Sequence, residues 1–252
     1  MDTQHEQTDR ILIVDDEESL RLTFEMLLKR AGYKLTGYTF ALLMLIPVTF
    51  AVLAVYPHVP SSFSFAGARN LLFNKAVITS GLALFCYVGI EASMAGWVTS
   101  YTSALGLSNR ASGLALSFFW ISMIFSRLIA ASILNPEIGA KAIACSAILA
   151  CVLLSLMVKA QSKPFAFILI ILVGFVFGPI FPTIFGIAFT KSPAAFHGSV
   201  FGIVKATGLL GGATIPVAIG LYSKKRTIQK SLTIAVVIAV LLFIMAILMD
   251  FT

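Results

Sequence analysis

Charge is scarce in this sequence: 12% of its 252 residues are Asp, Glu, Lys or Arg, against 59% apolar. A water-soluble domain carries about a quarter charged residues. The deficit excludes a chain that mostly faces water. Cysteine is scarce too. Cys86, Cys145 and Cys151 lie inside apolar runs, with no spacing for a metal site or disulfide framework, so all three read as buried structural thiols. There is no Walker lysine motif, which leaves ATP-driven work by this chain unsupported, and no hydrolase, kinase or metalloprotease constellation. No enzymatic activity, cofactor or metal is expected. No signal peptide is expected either, because the first long apolar stretch follows a polar prefix.

The few charges are unevenly placed. Residues 1–34 hold eight of the eleven acids and five bases; residues 35–252 hold three acids and thirteen bases. Such asymmetry marks segments in different surroundings. The basic excess is spread over short loops, as around membrane helices, and does not form a nucleic-acid patch.

After Lys34, seven apolar segments follow, at about 37–56, 75–104, 109–134, 139–158, 164–190, 197–222 and 228–250. About 20 residues of helix cross a bilayer. In lipid the backbone must satisfy its own hydrogen bonds, and these runs lack the alternation of a β-barrel. The predicted fold is an all-α membrane protein of about seven transmembrane helices: one at 37–56, a linker at 57–74 and six more across 75–252. Before them, Arg10–Val14 reads as a short strand and the residues to Gly32 as a helix, a β-α prefix over 1–34.

Several residues could carry chemistry. Glu91 is the only acid deep in an apolar segment, so it should face the bundle interior or a water-filled cavity. A carboxylate there suits sugar hydroxyls or proton coupling, or is a hydrogen-bonded structural group. Trp97 and Tyr101, four residues apart, either line a solute site or form an interfacial belt. Trp120 lies deeper and either lines a cavity or packs. Arg127 snorkels to the headgroups or pairs with a loop acid such as Glu137 as a gate. Lys205, about eight residues into its segment, either snorkels or meets a substrate. His197 reads as a loop residue. Two segments are rich in helix-disturbing residues: Gly174 to Thr183, with Pro179 and Pro182, and the series Gly198, Gly202, Gly208, Gly211, Gly212 and Pro216. They serve close packing, bending during transport, or both.

The stretch from Ala83 through Glu91 and Trp97 to Tyr101 resembles the seventh helix of major facilitator superfamily transporters, most nearly the fucose:proton symporter-like branch of sugar permeases. Phe118-Phe119-Trp120, Ser126-Arg127-Leu128, Gly178 to Phe185 and the Gly202–Pro216 series follow in the order of helices seven to twelve. The resemblance implies a secondary transporter for a sugar or similar small polar solute, with a proton as candidate coupling ion. By this likeness Glu91, Trp97, Tyr101 and Trp120 become cavity candidates; with Lys205, read from its own position, they are the substrate-binding or coupling candidates, and Arg127, Pro179 and Pro182, likewise read from the residues, are the gating candidates. The resemblance implies a bacterial inner-membrane location. Counterparts of helices one to five are not in this sequence, so a missing half or a second copy is the expected partner. The prefix resembles the first strand and helix of a response-regulator receiver domain. Asp15 and Asp16 match that family's magnesium ligands, but the phospho-acceptor strand is missing. A membrane-anchored signalling protein, or an inactive fusion or truncation product, are the alternatives.

Overall fold

Apolar runs of this length have one stable form in lipid, and the chain adopts it. A computed structural model describes residues 34–54, 69–134 and 138–251, with side chains described from Leu42 onward. The prefix with Asp15 and Asp16, most of the 57–74 linker and Glu137 lie outside the described residues.

The chain divides into two compact units, residues 1–59 and 60–252. In the first, helix α1 (Lys34–Leu53) has 20 residues, covers most of the predicted 37–56 segment and contains Pro47. At 1.5 Å per residue it is about 30 Å long. Its side chains from Leu42 to Leu53 are exposed.

The second unit carries six spans long and apolar enough to cross a bilayer: Lys75–Ala104, Asn109–Ile133, Gly139–Lys159, Lys163–Thr190, Ala194–Ser223 and Ile228–Asp250. The helices within them are α2 (Lys75–Ala104), α3 (Asn109–Ile133), α4 (Gly139–Lys159), α5 (Lys163–Phe177), α6 (Ile180–Thr190), α7 (His197–Ser223), the short α8 (Ile228–Ser231) and α9 (Thr233–Asp250). Local chemistry sets their starts. The Asn74 side chain accepts from the Ala76 and Val77 amides at 2.9 and 3.2 Å, and Ser108 from Ala111 at 3.3 Å. Gly106, at φ +84°, turns the chain between α2 and α3. Lys163 holds that turn by donating to the Gly106 carbonyl at 2.7 Å.

Helix α2 is the most enclosed span and forms the centre of the unit. Its Tyr87, Ile90, Met94, Val98 and Tyr101 are fully buried, on one face at helical spacing. Helix α7 packs along it through glycines. A Cβ on Gly208 would sit 2.8 Å from Leu84, and one on Gly211 would run into the Phe85 carbonyl. Helices α3 and α5 meet in the same way: a Cβ on Gly174 would run into the Phe119 carbonyl, and one on Gly178, which follows α5, would sit 2.7 Å from that of Met123. Small residues let helix backbones approach where lipid gives no hydrophobic drive. The outward faces, with Ile124, Phe125, Leu128, Leu209, Leu210 and Val217, leave large apolar side chains exposed, as a lipid-facing surface requires. This corrects one expectation. Cys86 is buried, but Cys145 lies on the exposed face of α4 and Cys151 is half-buried.

Candidate functional site

The fourth span is not one helix. Proline has no amide hydrogen to donate, and two prolines fall where α5 should run into α6. Pro179 cannot reach the Phe175 carbonyl, which takes the Gly178 amide instead at 3.3 Å. Pro182 sits four residues after Gly178, so the Gly178 carbonyl loses its ordinary helical donor. An orphaned carbonyl inside a bilayer costs several kcal/mol, on the order of a lost hydrogen bond with no water to replace it.

Arg127 of α3 supplies the missing donor. Its Nε donates to the Gly178 carbonyl at 3.1 Å. The same side chain reaches the centre of the unit. Its Nη2 lies 3.4 Å from both the Tyr87 hydroxyl and Glu91 Oε1, the latter an ion pair. Charge-assisted N–H···O bonds usually close to about 2.7–2.9 Å. The 3.4 Å contact, made by one nitrogen shared between two acceptors, is therefore a loose pair. The Glu91 side chain is 15% exposed and that of Arg127 is 40% exposed. Arg127 also lines a cavity of about 320 Å³ between α3 and α6, with Ala130, Ala131, Leu134, Pro182, Thr183 and Gly186.

A second cation joins the cluster. Lys205 of α7 is half-buried, with its Nζ 4.8 Å from the Phe181 ring centroid, and the Arg127 guanidinium lies 6.0 Å from the same centroid. Phe181 in turn packs against Tyr87, ring centroids 6.4 Å apart. Among the described residues no carboxylate lies within 4.0 Å of Lys205. A cation–π contact contributes about 0.5–2 kcal/mol. Holding a charged side chain at mid-bilayer depth costs about 3 kcal/mol on insertion scales. The ring alone does not offset the lysine charge. The cluster of Glu91, Arg127 and Lys205 thus carries a formal excess of one positive charge.

The remaining sequence candidates fall elsewhere. Trp97 is half-buried against α7, donating from Nε1 to the Pro216 carbonyl at 3.1 Å; Gly220 leaves room for its indole, 2.8 Å from where a Cβ would stand. The Tyr101 hydroxyl is sealed in the core and donates to the Met157 carbonyl at 2.9 Å. Trp120 is 39% exposed and packs edge-on against Phe119. His197 stacks on Phe189 and its Nε2 lies 3.0 Å from that residue's carbonyl, at the end of α6. The structure therefore brings together Glu91, Arg127, Lys205 and the Pro179–Pro182 break. It places Trp97 and Tyr101 in helix packing. Sequence reasoning missed the Glu91–Arg127 pair and the part played by Phe181. The usable signal was a proline four residues after Gly178, which announces a carbonyl in need of a donor.

A family model for the Major Facilitator Superfamily matches residues 24–216. A Helicobacter pylori protein described as a "Putative glucose/galactose transporter" is 26% identical over 164 residues, covering 65% of this chain and 40% of that protein. "Bypass of stop codon protein 6" of Saccharomyces cerevisiae is 29% identical over 177 residues, covering 65% and 35%. The solved structure of the E. coli fucose:proton symporter superposes with a TM-score of 0.71 at 20% identity, over 93% of this chain and 59% of that one. The chain thus spans well under two thirds of these relatives. The receiver-like reading of residues 1–34 gains no support from them, and the family match begins inside that prefix.

Proposed function

Because this chain belongs to the Major Facilitator Superfamily, we propose that it forms one wall of a secondary transporter for a sugar or similar small polar solute. Glu91, Arg127 and Lys205 form the transport site, and a proton is the coupling ion. A second six-helix bundle, from another chain or another copy, supplies the facing wall. The names of the relatives, a glucose/galactose transporter and a fucose:proton symporter, support the solute class.

One observation carries the reading: Arg127 joins an ionisable group at the centre of the unit to the break in the fourth span. Protonating Glu91 removes its negative charge and with it the ion pair. Arg127 then keeps the Gly178 carbonyl, the Tyr87 hydroxyl and the Phe181 ring, and its hold on Glu91 weakens to that on a neutral acceptor. Its Nη2 is then more readily turned, with Nη1, toward solute oxygens in the adjoining cavity. Proton and solute occupancy are thereby linked through one side chain, and any shift of Arg127 is transmitted to the α5–α6 joint.

The test is solute uptake into proteoliposomes under an inward proton gradient. Reconstituted at several copies per vesicle or with its complementary bundle, the wild-type chain should concentrate labelled solute, and Glu91→Gln should lower gradient-driven uptake at least tenfold. Glutamine keeps the shape and most hydrogen bonds but cannot exchange a proton. Undiminished gradient-driven uptake by Glu91→Gln would defeat the coupling role.

A further inference from the structure

We propose that the solute is an anion, a small hydroxylated carboxylate of the sugar-acid class, with its charge received by Lys205 and Arg127 together. This rests on the transport-site reading above and narrows its substrate. Away from the helix ends, the charged residues of the six described spans are Glu91, Arg127 and Lys205. Glu91 is already engaged by Arg127. Lys205 is the ninth residue of α7, about 12 Å along the helix from its first residue, where an ammonium group without a counter-ion is disfavoured. Its near neighbour is an aromatic ring.

That ring is common to both cations. Phe181 has the Lys205 Nζ 4.8 Å and the Arg127 guanidinium 6.0 Å from its ring centroid, so the two cations share one apolar neighbour. Arg127 spends Nε on Gly178 and Nη2 on Tyr87 and Glu91, while Nη1 makes no hydrogen bond among the described residues. A carboxylate placed between Nη1 and Lys205 Nζ offsets one positive charge and gives both donors an acceptor. A neutral sugar could hydrogen-bond there but would leave the excess charge in place. Thr183 lines the cavity beside Arg127 and, with its proton given to the Pro179 carbonyl at 2.7 Å, offers a hydroxyl oxygen as acceptor there.

Matched pairs test this: D-glucuronate against D-glucose, and D-galacturonate against D-galactose, which differ at C6 by carboxylate against hydroxymethyl. Equilibrium binding is measured on the purified full chain in lipid nanodiscs at low ionic strength. The acid of at least one pair should bind tenfold or more tightly than its parent sugar. Lys205→Gln should reduce that preference to within about twofold of unity. Lys205→Arg, which keeps the charge, should retain most of it, and this separates lost charge from a damaged fold. Equal binding of acid and sugar, a preference for the sugar, or a preference unchanged in Lys205→Gln would overturn the inference and leave the transporter reading standing. If no acid or sugar binds, the solute site itself fails and the inference falls with it.

Discussion

At the scale of single residues, Glu91 was legible because an acid within an apolar segment has little other reason to be there. Its partner was not legible. Arg127 is 36 positions away on another helix, and near a segment end it reads equally well as a snorkelling base. Sequence spacing reports neighbours on one helix and says nothing of which helix lies opposite. Tyr101 shows the converse. Its position four residues from Trp97 suggested a solute-facing pair, but the core closes over it and its hydroxyl serves helix packing. Tyr101→Phe should therefore destabilise the unit without touching the site. The loss should be small, about 0.6 kcal/mol, the average for interhelical hydrogen bonds in membranes. The Met157 carbonyl also accepts from Gln229 at 3.3 Å, so it is not left orphaned. Reversible unfolding in mixed micelles measures this. A loss beyond about 2 kcal/mol would show that Tyr101 does more than bridge α2 and α4.

At the scale of helices, the glycine series was visible in the sequence but its division was not. A Cβ on Gly208 or Gly211 would meet α2 at distances no side chain tolerates, and one on Gly212 would sit 3.0 Å from Val88. A Cβ on Gly198 or Gly202 meets nothing within 4 Å. All share a spacing of a few residues along one helix, so only the partner's position separates packing glycines from open ones. Gly211→Ala must push α7 off the α2 backbone. It should cost about 1–3 kcal/mol, the range for overpacking a close-packed core. Gly202→Ala should be neutral or stabilising by up to about 1 kcal/mol, through the higher helix propensity of alanine. Comparable losses in the two variants, by the same unfolding measurement, would remove the packing account of this series. The break at Gly178–Pro179 was the more legible feature, because two prolines three residues apart have one effect on a helix wherever it packs. What stayed hidden was the arginine that compensates for it.

At the scale of the whole molecule, six spans make one bundle, and its charged cluster is only partly covered. Arg127 is 40% exposed on its side chain, and Lys205 is half-buried. Hydropathy alone made the six spans legible, since run length and lipid chemistry decide them. It could not show how a site is closed, because closure depends on a surface that composition does not describe. A solute site open on one side cannot alternate its exposure between two faces of a membrane. Alternating access moves one bundle against another around a shared site. Single copies of this chain should then bind solute without carrying it across. Vesicles loaded at no more than one copy each should show no uptake above protein-free vesicles. Vesicles of the same composition holding two or more copies, or one copy with a complementary bundle, should accumulate solute. Plotted against protein-to-lipid ratio, uptake in the self-pairing case should rise roughly with the second power at low density. A linear rise from the lowest densities would mean that one copy suffices, and that the half-covered cluster is closed within this chain.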